Sequence, residues 1–252
     1  MDDDRAGGQS SPDSQRRLLG GQNRHIAWVV VITAGLVTFL VLLPDQIRSA
    51  LFRGLLANWP LAGMLLLFTL IALSLLWSAG QRVDAWAFLY FNLRGTRPRW
   101  LDWLMLAFTQ IGNGFTSLVV ALIFFFADDR RLAYAVILGT LTLWLVVELV
   151  KAIVRRSRPF VRLTQTRIVG YRERGRSFPS GHTSQAFFLV TLLIQHFEIG
   201  LLAALVLYAA AVTVAITRMY LGAHYPRDVL AGAILGSVWG LLGIIVDALF
   251  LA

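Results

Sequence analysis

The stretch PSGHTSQAFFLVTLLIQHFEIGLLAALVLYAAAVTVAITRMYLGAHYPRD, Pro179 to Asp228, decides the architecture. Two polar clusters, PSGH at Pro179–His182 and RMYLGAHYPRD at Arg218–Asp228, bracket two apolar runs, Thr183–Phe197 and Leu201–Thr217, with almost no loop between them. Runs of this kind predict paired membrane helices that bring the second cluster back to the level of the first. A third cluster, KAIVRRSRP at Lys151–Pro159, ends an earlier apolar run. Nearly all the chemically capable side chains thus collect at the ends of apolar segments.

Composition agrees with a membrane chain. Of 252 residues, 57% are hydrophobic and 15% charged, too apolar for a soluble domain of ordinary kind. There is no cysteine, which removes disulfides, thiol nucleophiles and thiolate metal sites. The net charge of +9 does not point to nucleic acid, because the basic residues sit at the ends of apolar runs and not along a soluble face. Lipid phosphates fit better. Lys151 is the sole lysine among 23 basic residues, in a chain that otherwise uses arginine.

Outward from the clusters, seven candidate spans appear. Ile26–Leu43 follows a polar tail (residues 1–24, read as disordered) and lacks a small-residue cleavage site, so it reads as an uncleaved helix and not a signal peptide. Leu61–Trp77 is the next, and Gln81–Asp102, which mixes arginines with Trp86–Phe91 aromatics, predicts a segment lying at the membrane surface. Trp103–Phe126 and Leu132–Val150 should pair antiparallel about the charged turn Asp128–Arg131, and Val229–Phe250 is the last span. Glu148 reads as a structural partner of Lys151, one turn on, or of a nearby arginine. His25 and His196 read as structural, and Asp247 as interfacial. The expected fold is an all-α polytopic membrane bundle: residues 25–60 as an extra N-terminal span and connection, 61–252 as a six-span domain.

Each cluster taken alone is ordinary. Lys151, Arg155, Arg156 and Arg158 taken alone make a topogenic basic flank; of the loop's basic residues other than Arg158, namely Arg155, Arg156, Arg162, Arg167, Arg172, Arg174 and Arg176, most suit solvent or lipid phosphate, with about one or two expected to touch substrate. Ser180 suits an N-cap, where its hydroxyl and the free N–H groups of the first turn hold anions. His224 and Asp228 are spaced i, i+4, which lets a carboxylate fix an imidazole tautomer. Combined, three cations (Lys151, Arg158, Arg218), two histidines and Asp228 suit phosphoryl transfer. That reaction needs charge on the equatorial oxygens neutralised, an in-line nucleophile and a proton for the departing oxygen.

The patterns K-x6-RP at Lys151–Pro159, PSGH at Pro179–His182 and R-x5-H-x3-D at Arg218–Asp228, in that order, resemble the signature of the type 2 phosphatidic acid phosphatase superfamily. Thr217 stands where that family commonly has serine, and keeps the hydroxyl. The resemblance implies a phosphatase needing no metal or other cofactor. It implies that His224 attacks phosphorus, Asp228 holds its other ring nitrogen, and His182 protonates the leaving oxygen. Lys151, Arg158, Arg218, the Ser180 hydroxyl and the Gly181 backbone N–H would bind the phosphoryl oxygens. Phosphatidate, phosphatidylglycerol phosphate and undecaprenyl pyrophosphate all qualify as substrates. A lipid phosphotransferase would share every motif. A transporter or scaffold would have no use for this register of lysine, histidines and aspartate, and a soluble vanadium haloperoxidase does not fit the composition.

If all seven candidates cross, the excess of arginine on the N-terminal side places the site in the cytoplasm. The resemblance implies the opposite face, with the Asp128–Arg131 turn inside. The two agree if Ile26–Leu43 does not cross, and the expected location is the cell membrane with the site extracytoplasmic.

Overall fold

A computed structural model describes residues 38, 41, 42, 45, 58–95 and 97–251, the last six without their side chains. The chain divides into two units, Met1–Gly54 and Leu55–Ala252. The expected span Ile26–Leu43 lies outside the described residues but for Thr38, Val41 and Leu42, and the Asp247 side chain lies outside them too.

The second unit is helical throughout its described secondary structure. Its elements are α1 (Trp59–Ser74), α2 (Ser78–Leu93), α3 (Arg99–Thr109), a single 3₁₀ turn (Gln110–Gly112), α4 (Gly114–Phe126) and α5 (Arg130–Val154). The short α6 (Pro159–Arg162), α7 (Gly181–His196), α8 (Leu201–Tyr220) and α9 (Pro226–Leu251) follow. Among them α5, α8 and α9 are long and apolar enough to cross a membrane, and the count rises to five if each of two bent pairs is one crossing. The 16-residue α7 is the most enclosed, with nine buried residues from Thr183 to Leu192. Outward faces are apolar: Leu138, Leu141, Trp144, Leu145 and Leu149 of α5 are all exposed. In water such a face would be a large aggregating patch, whereas lipid solvates it without cost.

The two bends shape the site. At Leu75–Trp77 the chain turns by 98°, so that α2 runs nearly perpendicular to α1. Its buried stripe is Asp84, Phe88 and Asn92, four residues apart, while Trp86 and Tyr90 face outward. Asn92 donates to the carbonyls of Arg167 and Tyr220 (2.9 and 3.0 Å), and Phe88 meets Tyr225 edge-on.

The second bend corrects the expectation of an unbroken span at Trp103–Phe126. Helix breaks at Gln110–Asn113 with a 57° bend. Asn113 is extended (φ −87°, ψ 144°) and its side chain accepts from the Phe115 N–H at 3.2 Å, capping α4. Gly112 lies so close to the His182 carbonyl that any Cβ would overlap it. Close approach of this turn to the start of α7 sets where the apolar run must yield.

Helices α7 and α9 form the tightest crossing. Gly232, Gly236 and Gly240 recur every fourth residue on α9, and a Cβ on any of them would overlap Ser180, Ser184 or Thr191 of α7. With no hydrophobic drive between helices in lipid, such backbone proximity is what binds them. At the far end, Asp129 caps α5 through Leu132 N–H (3.1 Å) and takes His196 Nε2 at 2.8 Å, the structural role expected for that histidine. Gly236→Leu should lower the unfolding midpoint in detergent sharply, by about 3 kcal/mol or more of stability. Gly63→Ala, with open space around its Cβ, serves as control and should lose nothing; equal melting of the two variants would contradict the close crossing.

Candidate active site

Two loops converge at the end of the bundle beneath α2. The 155–178 loop leaves α5 through Arg155, in the left-handed region at φ 51°. It returns through Ser177, whose N–H donates to the Arg156 carbonyl at 2.9 Å. The α8–α9 connection turns at Gly222 (φ +84°), where a Cβ would overlap the Arg167 carbonyl. The Ala223 and His224 N–H groups both donate to the Arg218 carbonyl. These turns set Lys151, Arg158, Gly181, His182 and His224 on the wall of one cavity of about 620 Å³, together with Glu148, Glu173 and Arg174.

His224 is buried, with 1% of its surface exposed. Its Nδ1 lies 2.7 Å from the Ser177 carbonyl, an acceptor only, so Nδ1 carries the hydrogen and Nε2 keeps its lone pair. Nε2 accepts from Arg158 Nη1 at 3.2 Å. Burial, followed by the neighbouring Arg158 and Arg218 charges, pushes the imidazole pKa down to about 3 against the opposing effect of Asp228. The ring is therefore neutral at physiological pH, as a nitrogen nucleophile must be.

Asp228 stands one step further from the ring than a direct clamp. Its Oδ2 is 3.7 Å from Nδ1. That oxygen accepts from the Ser177 hydroxyl and from the Tyr225 N–H (2.8 Å), and Oδ1 accepts from Arg156 Nη1 at 2.5 Å. The carboxylate thus fixes Ser177, and the Ser177 carbonyl fixes the imidazole.

The cations are arranged around an internal anion. Glu173 pairs with Arg158 Nη1 at 2.8 Å through one oxygen and with Arg218 Nη2 through the other, and lies 3.9 Å from His224 Nε2. Arg218 also donates to Thr109 Oγ1 at 2.7 Å. It is buried behind Glu173 and does not line the cavity. Lys151 pairs with Glu148 at 2.8 Å, as expected from their spacing. A Cβ at Gly181 would lie 3.9 Å from Lys151 Nζ, which places the ammonium against the first turn of α7.

Ser180 does occupy the N-cap position of α7, but its hydroxyl makes no cap bond. Instead Oγ accepts from Thr183 Oγ1 at 2.9 Å and is fully buried off the cavity wall.

Sequence reasoning missed four residues. Arg156, assigned to solvent or lipid with the other loop arginines, is 8% exposed and bridges Asp228 and Asp84 while stacking 4.1 Å over Tyr225. Asp84, one acid in a surface segment, is 3% exposed and also takes the Arg227 backbone N–H at 3.1 Å. Glu173 and Gln185 gave no sign of being turned inward. Only the four-residue spacing of Asp84, Phe88 and Asn92 was available as a signal.

The PAP2 superfamily profile matches residues 130–248, the part holding all three clusters. Undecaprenyl-diphosphatase of Sulfolobus acidocaldarius is 25% identical over 196 residues, 73% of this chain and 90% of that one. Lipid A 4'-phosphatase of Bacteroides thetaiotaomicron is 42% identical over 73 residues, 29% of this chain and 32% of that one. The crystal structure of a transmembrane PAP2-type phosphatidylglycerolphosphate phosphatase from Bacillus subtilis superposes with a TM-score of 0.64 at 25% identity, covering 75% of this chain and 96% of that one. With its three clusters drawn to one cavity and this fold around them, residues 130–248 make up the PAP2 superfamily part of the chain.

Proposed function

We propose that the cavity removes phosphate from a membrane lipid phosphate or pyrophosphate through a phosphohistidine on His224. One observation carries the reading: a neutral, Nδ1-anchored imidazole faces a cavity with cations at its head. Along α4 and α5 the lining is the apolar Leu118, Ile137, Leu141 and Trp144, of which all but Ile137 are exposed on the outer face, so the cavity is open sideways. A phosphate at the polar end and a hydrocarbon tail between the two helices match that polarity. The relatives named above, which act on lipid phosphates, support the substrate class.

In the free enzyme Glu173 holds the positions between Arg158 and Arg218 that suit two phosphoryl oxygens. An incoming phosphate displaces it and draws the Arg158 donors off Nε2. Lys151 and the Gly181 backbone N–H take further phosphoryl oxygens, with Ser180 setting the start of α7. The Nε2 lone pair then attacks phosphorus and forms the P–N bond as the P–O bond to the lipid breaks. His182, whose pKa burial and then the Lys151 and Arg158 charges lower to about 4 in the free enzyme, takes up a proton once the phosphate dianion offsets those charges and gives it to the departing oxygen. The imidazolium so formed is stabilised by Asp228, 3.7 Å from Nδ1. Water, deprotonated by His182, attacks the same phosphorus and breaks the P–N bond, releasing phosphate and restoring both histidines.

His224→Ala should lower kcat/KM by about 10⁴-fold or more with its melting profile kept. Acid-labile label from a lipid phosphate should be trapped on the wild type only, and a well-folded, active variant would remove His224 from the chemistry. Glu173→Gln should tighten inhibition by inorganic phosphate at least about fivefold, since the competing anion is gone. Unchanged or weaker inhibition would show that phosphate binds elsewhere.

We place the site on the extracytoplasmic face, with the Asp128–Arg131 turn, at the opposite end of α5, inside. An impermeant thiol reagent should label Arg172→Cys in intact cells, and protection until the cells are opened would reverse the orientation.

A further inference from the structure

Arg158 and Arg218 share one anion but are anchored differently. Arg158 Nη1 donates to the Ala223 carbonyl at 3.1 Å and Nη2 to the Arg174 carbonyl at 3.2 Å. Two backbone acceptors therefore hold its fork whatever Glu173 does. The Arg218 side chain has no backbone acceptor among the described residues. Its partners there are Glu173, on Nη2, and Thr109 Oγ1, on Nη1 at 2.7 Å, while Nε has none.

Thr109 is the last residue of α3, directly before the 3₁₀ turn Gln110–Gly112. It is 4% exposed and does not line the cavity. Leu101, Met105 and Leu106 of α3 pack against Val169, Tyr220 and Leu221, which sets α3 against the end of α8. The turn after Thr109 is held from two sides. A Cβ at Gly112 would overlap the His182 carbonyl and stand 2.9 Å from Val214 Cγ1, one helical turn before Arg218. The break in the Trp103–Phe126 run thus brings the Thr109 hydroxyl to a fixed place beside the Arg218 guanidinium.

We propose that Thr109 is a positioning residue, which aims Arg218 at the phosphoryl group once Glu173 has left. The inference rests on the lipid phosphatase reading and adds to it the residue that orients one of the phosphate-binding cations. A guanidinium is a rigid planar fork, so fixing Nη1 sets the direction in which Nη2 donates. In the free enzyme two groups of the chain itself hold Arg218. With phosphate in place of Glu173, Thr109 is the one that remains, and the phosphate is a guest that Arg218 has to hold. Removing the hydroxyl takes one of two anchors from the free enzyme but the last from the complex. The loss therefore falls on phosphate binding and on the transition state.

The test sets Thr109→Val, which keeps the shape and removes the hydroxyl, against Thr109→Ser, which keeps the hydroxyl and removes a methyl group. Thr109→Val should lower kcat/KM about tenfold and weaken inhibition by inorganic phosphate about fivefold, near the lower end of what a hydrogen bond to a charged group contributes. The loss in kcat/KM should be equal on phosphatidate and on para-nitrophenyl phosphate, since both present the same phosphoryl group. Thr109→Ser should stay near wild type on both. If Thr109→Val does not fold, Thr109→Ala takes its place, and it differs from Thr109→Ser by the hydroxyl alone. A residue that only packs would reverse the order, with Thr109→Ser worse than Thr109→Val. That order, an equal loss in the two variants compared, full activity without the hydroxyl, or a loss confined to phosphatidate would overturn the assignment. Hydrolysis of neither substrate by wild type would instead sink the phosphatase reading, and the role of Thr109 with it.

Discussion

The Asp228 carboxylate, fully buried at the end of the bundle, is the point on which the site depends. It is held by Arg156, by the Ser177 hydroxyl and by the Tyr225 N–H. Arg156 is in turn held by Asp84 of α2. Charges at such depth persist only when paired and hydrogen-bonded, and losing one partner of a buried pair costs about 3–5 kcal/mol. That penalty locks the 155–178 loop, the start of α9 and the crossing helix α2 to one another. Its catalytic consequence is indirect: Ser177, fixed by Asp228, presents the carbonyl that sets the His224 tautomer.

Lipid imposes a second constraint on the same region. Helices in a bilayer gain little from burying apolar side chains against each other, so they are joined by backbone proximity and polar contacts. The glycines of α9 allow the first, and Gln185 with Ser117 and Thr140 supplies the second. Because α7 is pressed between α9 on one side and the Gln110–Asn113 turn on the other, His182 starts a helix with little freedom to move. Positioning of this kind is what the proton transfer proposed for His182 needs, since misplacement by an ångström is costly to catalysis.

The cationic head of the cavity shows how charge is stored before substrate arrives. Arg158 and Arg218 share Glu173, and Lys151 has Glu148. The free enzyme thereby avoids unpaired buried cations. In the mechanism proposed above phosphate exchanges one anion for another, so binding is a replacement of partners more than a creation of them.

By itself the sequence determined a great deal. Apolar runs with polar clusters at their ends could only be membrane helices, because no soluble fold accommodates such lengths of exposed hydrocarbon. The order and spacing of Lys151, Arg158, His182, Arg218, His224 and Asp228 were likewise legible, since each lies at a helix end and adjacent runs return the ends to one level. Contacts between distant segments were not legible. Whether Arg156 faces solvent or Asp84 lies 72 residues away in sequence but against it, whether Glu173 turns inward, and where the Trp103–Phe126 run breaks are decided by which surfaces meet. Local pattern fixes a residue's periodicity on its own helix. Only the packed bundle fixes what stands opposite, and a buried charge takes its role from that neighbour.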